Sequence, residues 1–182
     1  EKLSFFEKLK GGKEWEVLDL CCGSGAVGIS LAKISSNVKV LGTDVSEKAL
    51  AVAEENAKNL RVKMRFARGD MFAPAAGKKF DMIVSNPPYI RTRMISILQE
   101  EVKDHEPLQA LDGGRDGLDF YRVIVKEAAD HLKPGGFLLL EIGHDQAEDV
   151  TRLIRETGAF TKVFVRKDLA GHDRVVYASA LY

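Results

Sequence analysis

Four consecutive residues, Asn86-Pro87-Pro88-Tyr89, carry the most specific chemistry in this chain. The lone pair of an amide or an aromatic amine is delocalised, so such a nitrogen is a poor nucleophile. The Asn86 side-chain oxygen can accept one N–H of that nitrogen, and the Pro87 carbonyl can accept the other. The second proline, Pro88, holds the backbone extended so that both acceptors point one way. Two acceptors aim the lone pair at an electrophilic carbon and stabilise the positive charge that grows on nitrogen. Tyr89 offers an aromatic face to a planar group. No strong base is needed, because the proton leaves after the nitrogen has become cationic. By itself Asn-Pro-Pro is also good turn chemistry.

A second constellation lies upstream. Asp19-Leu-Cys21-Cys22-Gly23-Ser24-Gly25-Ala-Val-Gly28 joins a strand to a helix. Its glycines let the backbone turn tightly and approach a ligand. The spacing Gly23-x-Gly25-x-x-Gly28 also satisfies the dinucleotide fingerprint. Asp19 argues against that reading, since a carboxylate there repels a pyrophosphate and suits an amino-bearing ligand. Asp44, followed by Val45, ends the next strand, where a carboxylate can accept both ribose hydroxyls. Asp70 ends a third and can accept from an adenine amine, with Met71 or Phe72 against the base. Three carboxylates at three strand ends resemble the S-adenosyl-L-methionine site of Rossmann-like methyltransferases. The cofactor candidates are Asp19, Cys21, Gly23, Ser24, Gly25, Asp44, Val45, Asp70, Met71, Phe72 and Asn86. The catalytic candidates are Asn86, Pro87, Pro88 and Tyr89.

These residues need a scaffold of alternating strands and helices. Apolar runs predict strands at 16–20, 38–43, 62–67, 80–85 and 137–142, the last buried on both faces. Helices are predicted over 26–34, from a Ser46 cap to 59, over 118–132 and over 146–157. Lys133-Pro-Gly-Gly136 is the stop signal of the third. Strands at 161–166 and 174–180 have no helix between them and are expected to pair antiparallel. The fold class is α/β: a Rossmann-like, seven-stranded, mostly parallel sheet with the last strand antiparallel and helices on both faces. Residues 90–117 break the rhythm. There Gly113, Gly114 and Gly117 suggest a flexible lid, and Asp104, His105 and Glu106 form a polar cluster read as helix-capping rather than as a base. A buried Glu141 needs a partner, for which Arg174 is the expectation.

The 182 residues carry 27 Lys and Arg against 27 Asp and Glu. One domain without net charge is a poor prior for a nucleic-acid binder. The run Arg61, Lys63, Arg65 and Arg68 fits a solvated strand edge. No apolar run reaches the roughly 18 residues of a membrane span. Cys21 and Cys22 are adjacent and cannot easily bridge, so they read as reduced thiols packing a loop in a cytoplasmic protein. His144 and His172 lack ligand spacing, and no metal is expected.

The chain resembles the HemK/PrmC family of protein-(glutamine) methyltransferases that modify peptide chain release factors. Beyond the two constellations, the likeness rests on Glu101-Val-Lys-Asp-His-Glu-Pro107, on Ala110-Leu-Asp-Gly-Gly-Arg-Asp-Gly-Leu-Asp-Phe-Tyr-Arg122, on Leu138-Leu-Leu-Glu-Ile-Gly143 with Gln146-Ala147, and on Arg166-Lys-Asp-Leu-Ala-Gly-His-Asp-Arg174. It implies transfer from S-adenosyl-L-methionine to the glutamine amide of a GGQ motif, with S-adenosyl-L-homocysteine as product and no metal. It implies a release factor as protein partner; the zero net charge and the lack of a long apolar run add the expectation of no stable nucleic-acid binding and no membrane. Residues 1–182 then read as the catalytic domain, without the family's N-terminal helical docking domain. Cys21 stands where the family has glycine, so the backbone there must tolerate a side chain. Relatives that modify a ribosomal protein also show Asp-Leu-Cys, which leaves that substrate as an alternative. An adenine or guanine amine in nucleic acid is another.

Overall fold

A computed structural model of the chain describes residue 9 and residues 11–96 and 108–181. The cluster Asp104, His105 and Glu106 lies outside them. Seven strands form one mixed sheet: β1 (Trp15–Leu20), β2 (Val38–Asp44), β3 (Arg65–Arg68), β4 (Phe80–Ser85), β5 (Leu132–Glu141), β6 (Phe160–Lys167) and β7 (Asp173–Ala180), in the order β3-β2-β1-β4-β5-β7-β6. The helices around it are α1 (Ala26–Ile34), α2 (Glu47–Asn59), the single turns α3 (Thr92–Ile95) and α4 (Leu108–Leu111), α5 (Asp119–Glu127) and α6 (Ala147–Glu156). Among the described residues no helix is long and apolar enough to cross a membrane.

The chain divides into two compact units, Glu1–Ser85 with Asp130–Phe137 and Asn86–Ala129 with Leu138–Tyr182. In the first, β1 pairs parallel with β2 and with β4, and β2 with β3. The chain therefore starts in the middle, winds outward to β3 and returns on the other side of β1. The point of reversal, between β1 and β4, is where open α/β sheets place ligands. All six residues of β4 are buried. Helix α2 begins as its sequence predicts, with Ser46 Oγ accepting from Ala49 N at 3.2 Å.

Helix α1 has no capping side chain of its own, because Gly25 stands at the cap with φ 79°. Asp19 supplies the missing acceptor from the preceding strand: its Oδ2 takes the Gly28 N–H at 2.8 Å. That N–H is one of the orphan donors every helix start leaves, and an acidic group there also meets the positive end of the helix dipole.

Strand β3 starts three residues later than predicted. Val62 N still donates to Ala57 O at 2.9 Å and Arg61 sits at φ 56°, so the chain is finishing α2 where alternation alone reads as strand. Its arginines face partners: Arg65 is 3.5 Å from Glu16 and Arg68 2.9 Å from Glu47. At the amino end of β4, Asp81 is buried and holds Lys13 and Lys133, each at 2.7 Å, and the Glu16 N–H at 3.0 Å. Burial pushes this carboxyl up, but the two ammonium groups and the N–H outweigh it and hold it below the usual range.

In the second unit α5 buries Tyr121, Ile124 and Val125 and ends at Glu127, not at 132. A 3-10 turn over Ala128–His131 follows, and β5 begins at Leu132. From Gly136 on, strand β5 alternates between buried and half-buried residues, where the sequence predicts burial on both faces. Strands β6 and β7 pair antiparallel, as predicted, with Phe164 stacked on Tyr177 at 4.5 Å. Arg174 is not the hydrogen-bonded partner of Glu141. Its guanidinium holds Asp168 at 3.2 Å and donates to Ile142 O at 3.2 Å. Glu141 is half-buried; burial raises its pKa, and Arg174 only counters this through space.

Candidate functional site

The first unit builds a loop stitched across three strand ends. Cys22 N donates to Thr43 O at 3.0 Å, which ties the loop after β1 to the end of β2. Asp44 then accepts twice: Oδ2 from Gly23 N and Oδ1 from Ser46 N, both at 2.9 Å. Gly69 N donates to Asp44 O at 3.0 Å, which brings the turn after β3 alongside. The structure thus gathers Asp44, Gly23 and the Asp70 turn, as the sequence predicts. Ser24 is exposed, and its carbonyl accepts from Asn56 Nδ2 at 3.0 Å.

Asp19 stands beneath this loop, 1% exposed. Burial raises its pKa from 3.8 to about 7, opposed by the Gly28 N–H and reinforced by the charge of Asp44. Cys21 has φ 56°, the left-handed region that disfavours a side chain. The bend that the Cys-for-Gly exchange requires is therefore present. Burial, and then Asp44, push the Cys21 thiol up to about 12; Cys22 is pushed up by burial and Asp19. Neutral thiols are neither nucleophiles nor metal ligands, in keeping with a packing role.

The base-contact candidates divide. Val45 is 57% exposed beside Asp44, an open apolar side chain of the kind a nucleobase covers. Met71 is half-buried, at φ 43°. Asp70 is exposed, and its carbonyl accepts from Ala73 N at 3.0 Å. Phe72 departs from expectation: it is 3% exposed, and its ring stacks on His131 at 4.7 Å. It pins the turn from inside and offers no face to a ligand.

The second unit holds the tetrapeptide. Asn86 is exposed, Pro87 and Pro88 are buried, and Tyr89 is half-buried. The register sets Leu20 opposite Ser85, and Ser85 Oγ donates to Leu20 O at 2.7 Å.

Downstream, Ile90 N donates to Leu111 O at 2.9 Å, and Gly113 N donates to Ile90 O at 2.8 Å. A Cβ on Gly113 would lie 2.7 Å from Tyr89 Cα and 2.8 Å from Pro88 O. At Gly117, where φ is 78°, it would lie 2.4 Å from Tyr89 O. These glycines are a cradle against which the tetrapeptide closes, which corrects their reading as a lid.

Gln146, which the sequence marks only through its family resemblance, completes the cradle. It is 2% exposed; its Nε2 donates to Tyr89 O and to Gly117 O, each at 3.1 Å, and its Oε1 accepts from Gly143 N at 2.9 Å. The available signal was a glutamine directly before a helix, where Ser, Thr, Asp or Asn is usual. Among the described residues no cluster of three His, Cys, Asp or Glu could hold a metal, and His144 and His172 merely meet edge to face at 6.0 Å.

Residues 3–105 match the family described as Methyltransferase small domain. A release factor glutamine methyltransferase of Geobacter sulfurreducens is 46% identical over 160 residues, which cover 88% of this chain and 56% of that protein. One of Caulobacter vibrioides is 48% identical over 164 residues, 89% of this chain and 56% of that protein. The chain spans a little over half the length of these curated relatives. Among solved structures, a methyltransferase from Pyrococcus furiosus aligns with a TM-score of 0.68 at 23% identity, over 97% of this chain and 80% of that one. At that identity the likeness shows the fold.

Proposed function

The chain belongs to the methyltransferase small domain family, and from that premise we propose that it methylates the side-chain amide nitrogen of the glutamine in the GGQ motif of a peptide chain release factor. S-adenosyl-L-methionine, when bound, supplies a methyl group made electrophilic by its sulfonium. The residues present fit such a group: Asp44 keeps acceptor capacity beyond its two N–H partners, and Val45 beside it is an open apolar surface.

In this reading Asp44 accepts from the ribose, Asp70 from the adenine amine, and Val45 and Met71 flank the base. Cys21, Gly23, Ser24 and Gly25 present backbone to the amino acid end, and Asp19 acts through Gly28 by fixing the loop's shape. The observation that carries the reading is the exposed Asn86, set by two buried prolines at the end of the fully buried β4. Among the described residues no donor is paired with the Asn86 side-chain amide or with Pro87 O. Those two acceptors orient the glutamine amide, and Tyr89 packs on its plane. The proton leaves after transfer, so no base is required. The names of the relatives support a release factor as the substrate.

The test offers the full protein labelled S-adenosyl-L-methionine with a release factor and with the same factor lacking its GGQ glutamine. Label should enter only the first. Asn86→Ala should slow transfer at least about 100-fold, the usual loss of a transition-state hydrogen-bond partner, with affinity for S-adenosyl-L-homocysteine kept within a few-fold. Transfer near the wild-type rate in Asn86→Ala would refute the orienting role. Label in the factor without the glutamine would refute the substrate.

A further inference from the structure

The tetrapeptide has a problem that its own residues cannot solve. Pro87 and Pro88 have no N–H, so the middle of the segment has no donor with which to join a neighbouring ladder. It must be held through its carbonyls and through the residues on its C-terminal side. Among the described residues two devices hold its C-terminal side. One is the bridge of Ile90 to Leu111 and Gly113. The other is Gln146, whose amide uses both hydrogens and its oxygen inside the protein.

Those bonds fix which way the amide points. Gly143 N–H needs an acceptor, and Tyr89 O and Gly117 O need donors, so only one orientation of the amide satisfies all three. The backbone of Gln146 is held as well: its N donates to Gly143 O and its O accepts from Val150 N, both at 3.0 Å, at the start of α6. The side chain is thus a rigid strut from a helix start to the carbonyl that closes the tetrapeptide.

We propose that Gln146 is a positioning residue for methyl transfer: by holding Tyr89 O it sets the direction of the Asn86 amide and the Pro87 carbonyl. This rests on the function proposed above. A merely structural glutamine would affect folding and nothing else. A positioning glutamine lowers the rate of transfer in protein that is folded and binds cofactor normally, because a shift of about 1 Å in an orienting group costs about 100-fold.

The experiment compares wild type, Gln146→Leu, Gln146→Glu and Asn86→Ala in the full protein. Each is assayed for kcat and KM with release factor, for S-adenosyl-L-homocysteine affinity by calorimetry, and for fold by circular dichroism. Gln146→Leu should lower kcat between about 10-fold and 100-fold, with KM and cofactor affinity within threefold. In Gln146→Glu an ionised carboxylate faces two carbonyl oxygens, and only the protonated acid can donate to Tyr89 O. Its kcat relative to wild type should therefore rise as pH falls from 8 to 6.

A folded Gln146→Leu with kcat within twofold of wild type would overturn the proposal. So would equal losses in kcat and cofactor affinity. If Gln146→Leu does not fold, the pH series of Gln146→Glu decides, and a flat ratio overturns the proposal. Asn86→Ala separates the two readings. If it is inert while Gln146→Leu is active, only the positioning role fails; if it transfers like wild type, the site itself is wrong.

Discussion

Opposite kinds of partner hold the loop after β1 and the segment after β4. The loop is rich in backbone donors, and carboxylates hold it: Asp44 takes Gly23 N–H and Asp19 takes Gly28 N–H. The segment contains two prolines and presents carbonyls, and a neutral amide donor, Gln146, holds it. Backbone chemistry dictates the choice in each case, since glycines expose N–H and prolines remove it. The consequence differs too. A buried carboxylate titrates, whereas a buried amide does not. The loop after β1 should respond to pH, and the holder of the segment after β4 should not.

The largest expected effect is on the segment, at Gly117. A methyl there combines a left-handed backbone with a collision against the carbonyl that Gln146 holds. We expect Gly117→Ala to destabilise the protein by about 2–5 kcal/mol, the sum of the left-handed penalty and overpacking, read by denaturant unfolding. Cofactor affinity per folded molecule should stay within a few-fold. A cost below about 1 kcal/mol would mean that the cradle yields, and the contrast between a rigid segment and a titrating loop would lose its first term.

Much of this contrast is legible in the residues, and the failures share a cause. Helix α1, the Ser46 cap of α2 and strand β4 fall where local signals put them, because cap chemistry and apolar runs are local. The long helix predicted over 118–132 ends early because distant partners claim its tail. Lys133 reaches Asp81, and Gly136 lies so near the Asp81 carbonyl that a Cβ would be 3.2 Å from it. The residues from Leu132 onward therefore lie in a strand. Arg174 chooses Asp168, six residues away across a hairpin, over Glu141, and no spacing rule ranks two carboxylates for one arginine. Phe72 is aromatic at the right place, but burial against His131 is a tertiary fact. The cradle departs from the predicted lid for the same reason: glycines signal either freedom or close approach, and only the neighbour decides which.

A medium effect is expected at Asp19. Asp19→Ala leaves the Gly28 N–H buried without its acceptor and should cost about 1–3 kcal/mol. Asp19→Asn keeps an acceptor and removes the titration. The wild-type carboxyl ionises near 3.8 when the chain is unfolded and at about 7 when it is folded. Between those values the folded state binds more protons, so this group's contribution to stability is full below 3.8. It is lost as pH rises and is gone above about 7. Stability measured from pH 4 to 8 should therefore decline with pH more steeply in wild type than in Asp19→Asn. Equal slopes would show that Asp19 does not titrate in this window, and the difference between the two holders would vanish.

The smallest effect is expected at Cys21, and it tests whether backbone or side chain matters in the loop. A side chain at φ 56° costs about 1–2 kcal/mol. Glycine removes that strain but gives the unfolded chain more freedom, worth about 0.4–1 kcal/mol against folding. It also loses the thiol's contact with the Ser85 side chain. The terms nearly cancel, so Cys21→Gly should raise stability by less than about 1 kcal/mol. Because the thiol is neutral, with its pKa pushed up to about 12, removing it takes no charge from the loop, and cofactor affinity should stay within twofold. A loss of more than about 1 kcal/mol would mean that the side chain is itself a strut. The loop would then be held by side-chain packing as well, and not by carboxylates alone.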